Sequence, residues 1–109
     1  MRYGWIRAVV LMSMAAPAVA QSAADRVALE RIPAAFGAAW GNADGTALGA
    51  LMVPEVDFVT VGATWLHGRR DFTLYHTRLL AKRFRGSTMV PLVTRAQFVK
   101  SDLAFARWS

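Results

Sequence analysis

Apolar and polar residues alternate along this chain in two rhythms, one helical and one extended, and the changes of rhythm mark the predicted elements. From Asp25 to Trp40, the residues Leu29, Ile32, Phe36, Ala39 and Trp40 recur at steps of three and four, which puts them on one face of a helix. Pro33 sits inside this stripe and either kinks the helix by removing a donor or starts a shorter one at its first position. Gly41-Asn42 ends the helix. Asp44 is then placed to cap a short second one carrying Leu48, Leu51 and Met52, which Pro54 stops. Val56 to Val61 is β-branched and aromatic and reads as a strand, with Val56 and Phe58 on one face and Asp57, Val59 and Val61 on the other. Gly62-Ala63-Thr64 makes a turn, and Trp65-Leu66 begins the return strand.

After Gly68 the helical spacing resumes. Phe72, Tyr75, His76, Leu79, Leu80 and Phe84 form the inward stripe of a third helix that runs to about Phe84. Lys82, Arg83 and Arg85 gather in its last turn, where the helix dipole favours cations, and Gly86 closes it. Thr88 to Lys100 is rich in Val, Thr and Phe and predicts a long strand, with Pro91 marking an edge or a bulge. Ser101-Asp102 turns the chain into a last strand, Leu103 to Trp108. Helix, helix, hairpin, helix, strand, strand is the order of an α+β domain whose helices cover one face of a bent antiparallel sheet. A hydrophobic strand with Trp as its second-last residue is an unusual place to stop, because termini are normally polar and frayed.

Ahead of these elements, Met1 to Ala20 has the three parts of a secretory signal peptide. Arg2 and Arg7 lead, an apolar run from Ala8 to Ala16 follows, and Pro17 with Ala18 and Ala20 completes an A-x-A cleavage site. The apolar run is well short of the roughly 20 residues that cross a bilayer, so the expectation is removal rather than anchoring. Residues 21–109 are then one small domain, periplasmic or secreted, with no membrane association after the signal is gone. Losing Arg2 and Arg7 takes the formal charge from +6 to +4. The chain has no cysteine, which excludes disulfides, a thiolate nucleophile and a zinc-thiolate site.

The run AAFGAAWGNADGTALGALMVPEVDFVTVGATWLHGRRDFTLYH resembles the SnoaL-like and SgcJ/EcaC-type proteins of the nuclear transport factor 2-like superfamily. The shared pattern is an aromatic-rich first helix ending in a W-x-N-x-D-like turn, a short A-L-x-x-L-M helix, a D-F-V strand, and G-x-x-W-x-x-G-R leading into a helix with an inward His. The resemblance covers Asp25 to Trp108. It implies helices on a curved antiparallel sheet forming a cone-shaped pocket, and it implies no particular chemistry, because the superfamily hosts isomerases, cyclases, dehydratases, ligand binders and interaction modules. Relatives usually continue with two more long strands, so the resemblance implies an incomplete domain: a fragment, a truncated frame, or a sheet completed by a partner. In the ketosteroid isomerase branch, a general-base carboxylate and a Tyr donor fall on Thr60 and Phe36 here, and neither side chain can do that work.

Asp57 and His76 are the candidate acid/base pair, since the resemblance directs both toward the concavity; a His beside a carboxylate can move protons or grip a polar ligand. The plain alternative is a satisfied core histidine and an Asp bonded elsewhere. His67 and His76 stand nine apart with no metal-ligand spacing around them, and neither a metal nor a cofactor is expected. Phe36, Trp40, Val59, Trp65, Tyr75, Leu80, Phe84 and Trp108 line an apolar ligand pocket, or simply pack a core. Arg78, Lys82 and Arg85 share one polar helical face opposite the apolar stripe, which fits solvation better than nucleic acid. No phosphate-binding Gly loop, nucleophile elbow or dinucleotide fingerprint occurs. Three functions stay open: a pocket protein for a small apolar or aromatic molecule, a non-catalytic module that dimerises through its sheet, and an isomerase, dehydratase or oxidoreductase using His76 and Asp57.

Overall fold

The computed structural model describes residues 16–109, with side chains from Ala23 onward. The signal expected over Met1 to Ala20 lies outside the described residues apart from the backbone of 16–20. Helix α1 spans Ala16–Gly41 and carries Pro33 inside it, on the buried side. A proline removes one i to i−4 bond, and here the helix continues through that loss instead of restarting. The chain then folds back sharply: Ala43 adopts a left-handed φ of 52°, and the amide of Asp44 donates to the carbonyl of Ala39 at 2.9 Å.

Asp44 begins α2, Gly45–Ala50, and its Oδ1 accepts from the amide of Ala47 at 2.9 Å. Strands β1, Asp57–Val59, and β2, Trp65–His67, form an antiparallel hairpin in the register Asp57 to His67, Phe58 to Leu66 and Val59 to Trp65. Its turn is closed by the Thr60 amide donating to the carbonyl of Thr64 at 2.9 Å, and by the Thr64 amide donating to Thr60 Oγ1 at 3.1 Å. Helix α3 spans Gly68–Ala81, shorter than the stripe to Phe84 predicts. Beyond it the backbone of Lys82–Ser87 turns, so Phe84 swings onto Trp40 and the hydroxyl of Ser87 accepts the Trp40 Nε1–H at 2.9 Å. Tertiary packing thus overrides the helical periodicity, and the cations at 82, 83 and 85 lie past the helix end.

The last pair is β3, Val93–Lys100, and β4, Leu103–Trp108. Strand β3 begins after Pro91, which lacks an N–H, although Leu92 and Ser109 still exchange backbone bonds at 2.9 and 3.1 Å. The class is α+β, as expected, with the four described strands in two two-stranded antiparallel sheets where one curved sheet is predicted.

One buried cluster joins the helices to the first hairpin: Phe36, Ala39 and Trp40 from α1, Leu48 from α2, Leu66 from β2, and Phe72 and Leu80 from α3. Helices α2 and α3 approach closely along Gly45 and Gly49, one turn apart, which face Thr77 and Thr73, also one turn apart. The upstream half of the expected α1 stripe is not core, since Ile32 is 43% exposed. The second hairpin and the stretch before it pack on this body, among other places, through Trp108 and Met89–Pro91. Trp108 lies edge-on to Phe36 with centroids 5.2 Å apart, and the segment Met89–Pro91 lies so close to Gly37 that a Cβ there would stand 2.8 Å from the Met89 carbonyl oxygen.

Candidate functional site

A hollow of about 330 Å³ opens beside the core, between α1, the turn of the first hairpin, and the end of α3. The α1 stripe supplies Phe36 and Trp40; Tyr75, His76 and Leu79 come from α3, and Phe84 and Met89 from the segment after it. Phe58, Val59, Thr60, Val61 and Gly62 form the remaining wall, with Val59 and Val61 exposed at the open side. The aromatic walls lean on one another: Trp40 stacks on Phe36 at 6.3 Å and takes Phe84 edge-on at 5.7 Å. With its indole N–H held by Ser87, Trp40 presents only carbon to the hollow.

His76 is the polar centre. Its ring, 3% exposed as a residue, packs between Phe72 and Phe58, with centroids 4.1 and 5.6 Å away, and against Tyr75 and Trp40. Nδ1 stands 2.8 Å from the carbonyl oxygen of Phe72. A carbonyl only accepts, so Nδ1 carries the proton and, in the neutral ring, Nε2 is an acceptor. Burial pushes the His76 pKa below its ordinary value, and the hydrogen bond to Phe72 only partly offsets it.

The expected acid/base pair does not assemble. Phe58 is the β1 residue that packs on His76, so alternation puts the side chain of Asp57 on the other face of the strand. There its Oδ1 lies 3.1 Å from Nδ1 of His67, its cross-strand partner, with side chains 65% and 64% exposed. Of the expected pocket residues, Phe36, Trp40, Val59, Tyr75 and Phe84 line the hollow. Three do not. Trp65 is 60% exposed and lies against the ring of His67, because β2 buries Leu66 between them. Leu80 is fully enclosed in the core, and Trp108 covers Phe36 from the hairpin side.

Sequence reasoning missed Phe58, Thr60, Val61, Gly62, Leu79, Arg83 and Met89 as lining. The signal for Phe58 was the alternation itself, which pairs it with the helix-facing side of β1. Thr60 and Phe36, where the isomerase resemblance sets its base and donor, both reach the hollow. Arg83 stands at its edge with its guanidinium carbon 5.6 Å from the centre of the Phe84 ring. Chemically, the arrangement offers a greasy enclosure with one neutral acceptor, the hydroxyl-bearing residues Thr60 and Tyr75, and one cation.

No family profile and no curated protein matches this chain. Its fold is similar to that of a crystallographically solved domain of unknown function with a cystatin-like fold from Nostoc punctiforme PCC 73102. The TM-score is 0.73 at 26% identity, over 76% of this chain and 51% of that one. The chain therefore spans about half the length of the structure it matches.

Proposed function

We propose that this chain is an exported small-molecule binding domain of the SnoaL-like type, taking a compact apolar or aromatic molecule into the hollow beside Trp40. The observation that carries the reading is the hollow itself. Its volume is at the low end of the roughly 300 to 1,000 Å³ of ligand sites, and its lining is aromatic and aliphatic with a few convergent polar groups. The fold likeness to a cystatin-like domain and the arrival of Thr60 and Phe36 at the hollow support the placement in the nuclear transport factor 2-like superfamily, with its cone-shaped pocket. Export rests on residues 1–20 alone, and the intact mass of the secreted form, expected to begin at Gln21, tests it; a product that retains Met1 overturns it.

Binding is tested by titrating the protein with toluene and indole and following saturation-transfer NMR, in the wild type and in Val59→Trp, which obstructs the open side. Saturation in the wild type and its loss in the variant are expected. Equal signals in both would remove the hollow as the site.

A second reading concerns the other end of the molecule. The hairpin of β3 and β4 and the stretch just before it expose Val90, Leu92, Val99 and Phe105, the last by 71%, and both outer backbone edges of the hairpin are unpaired among the described residues. Open apolar edges recruit further strands, which favours self-association through this hairpin. Sedimentation equilibrium is expected to show dimers or larger species that Phe105→Lys dissociates, and a monodisperse wild-type monomer would refute it.

A further inference from the structure

Resting on the reading of the hollow as a ligand site, we propose that its ligand is an alcohol, a small aromatic or alicyclic ring whose hydroxyl donates to Nε2 of His76. The fixed tautomer carries the argument. Nδ1 is held by the Phe72 carbonyl at 2.8 Å, so turning its donor toward the hollow would give up that buried hydrogen bond. Nε2 is left as the acceptor. Among the described residues it has no partner, yet no buried side-chain nitrogen or oxygen there is both sealed and unpaired, so Nε2 keeps some exposure, and the hollow is a cavity that His76 lines. Two of the other polar side chains nearby are engaged, while the Tyr75 hydroxyl and the Arg83 guanidinium belong to the same lining as donors. Trp40 Nε1–H donates to Ser87, and Thr60 Oγ1 accepts from the Thr64 amide. The groups around the imidazole are the rings of Trp40, Phe58, Phe72 and Tyr75, and burial keeps it uncharged.

An entering apolar ring with no donor would strip water from Nε2 and replace it with nothing, which is the costly outcome for a buried polar atom. A ring carrying one hydroxyl fills the space and satisfies the nitrogen. A carboxylate or ether, which only accepts at its oxygen, would place lone pair against lone pair.

Phenol, anisole and toluene are the probes, alike in ring and different at the substituent. Titrated against the full chain, phenol is expected to bind about three- to tenfold more tightly than anisole, the worth of one net hydrogen bond. On adding phenol, the 15N resonance of His76 Nε2 is expected to shift while that of Nδ1 stays, with His67→Gln assigning the two histidines. His76→Phe is expected to lose the phenol preference and keep toluene. If that variant does not fold, the wild-type Nε2 shift still decides the matter. Equal affinity for phenol, anisole and toluene with an unmoved Nε2 overturns the alcohol while leaving the hollow as a site. If none of the three binds, the ligand reading falls and the alcohol with it.

Discussion

Replacing Gly45 by Ala adds one methyl group where α2 lies close against α3. The first residue of α2 lies against Thr77 of α3, and a Cβ at position 45 would overlap Thr77 Oγ1 and stand 3.0 Å from Thr77 Cα. The hydroxyl cannot simply rotate away, because it donates to the carbonyl of Thr73 at 2.7 Å, and the Cα cannot move without α3. Overpacking of this kind costs about 1 to 3 kcal/mol, and the better helix propensity of Ala returns roughly 0.5 to 1 kcal/mol. A net loss of about 1 to 2 kcal/mol is expected, which lowers Tm by roughly 5 to 15 °C in a domain of this size. Gly49→Ala is the internal control. Its Cβ would overlap Thr73 Oγ1 but stand no nearer than 3.3 Å to any other Thr73 atom, so a change of the Thr73 rotamer relieves it, and the expected loss is below about 1 kcal/mol. Circular dichroism melts of both variants, alone and combined with Thr77→Ala or Thr73→Ala, make the comparison. Thr73→Ala should restore Gly49→Ala more fully than Thr77→Ala restores Gly45→Ala. A Gly45→Ala variant as stable as the wild type would refute the idea that backbone contact sets the helix separation.

Trp40→Ala empties the centre of the aromatic cluster and frees Ser87, and a loss of about 3 to 5 kcal/mol in urea unfolding is expected; a loss below about 1 kcal/mol would show that the ring is not core. Because burial lowers the pKa of His76, the unfolded chain binds its proton first as pH falls, so stability is full above about pH 6.5 and declines below it until the folded pKa is passed. Melts from pH 7.5 to 5 should show that decline in the wild type and a shallower one in His76→Gln, and parallel slopes would remove His76 as the cause.

Local chemistry made much of this fold readable. The carboxylate at Asp44 caps α2, the Gly62-Ala63-Thr64 turn joins β1 to β2, and the span of β4 agrees with its run of apolar residues. What sequence periodicity could not supply were partners distant along the chain. Nothing near Phe84 announces that Trp40 and Ser87 will draw the backbone out of its helix after Ala81. The close approach of α2 to α3 likewise depends on Thr73 and Thr77 lying opposite Gly49 and Gly45. The pairing of Asp57 with His76 failed for a reason already present in the alternation. Phe58 belongs to the face that meets the inward stripe of α3, so Asp57 had to face away, and its cross-strand neighbour is His67.

That placement also separates binding from proton transfer at His76. A histidine that works as a general base must become an imidazolium, and in catalytic arrangements a carboxylate on its second nitrogen steadies the charge as it forms. Here the second nitrogen is held by the Phe72 carbonyl, a neutral partner, while the nearest-predicted carboxylate is spent on His67 at the surface. The surrounding rings of Trp40, Phe58, Phe72 and Tyr75 offer little solvation for a cation, and desolvation drives the pKa down accordingly. Burial and the missing carboxylate favour the neutral ring, the Phe72 bond offsets them only in part, and that same bond leaves Nε2 as the acceptor. These features suit a group that recognises a hydroxyl and leaves its proton in place.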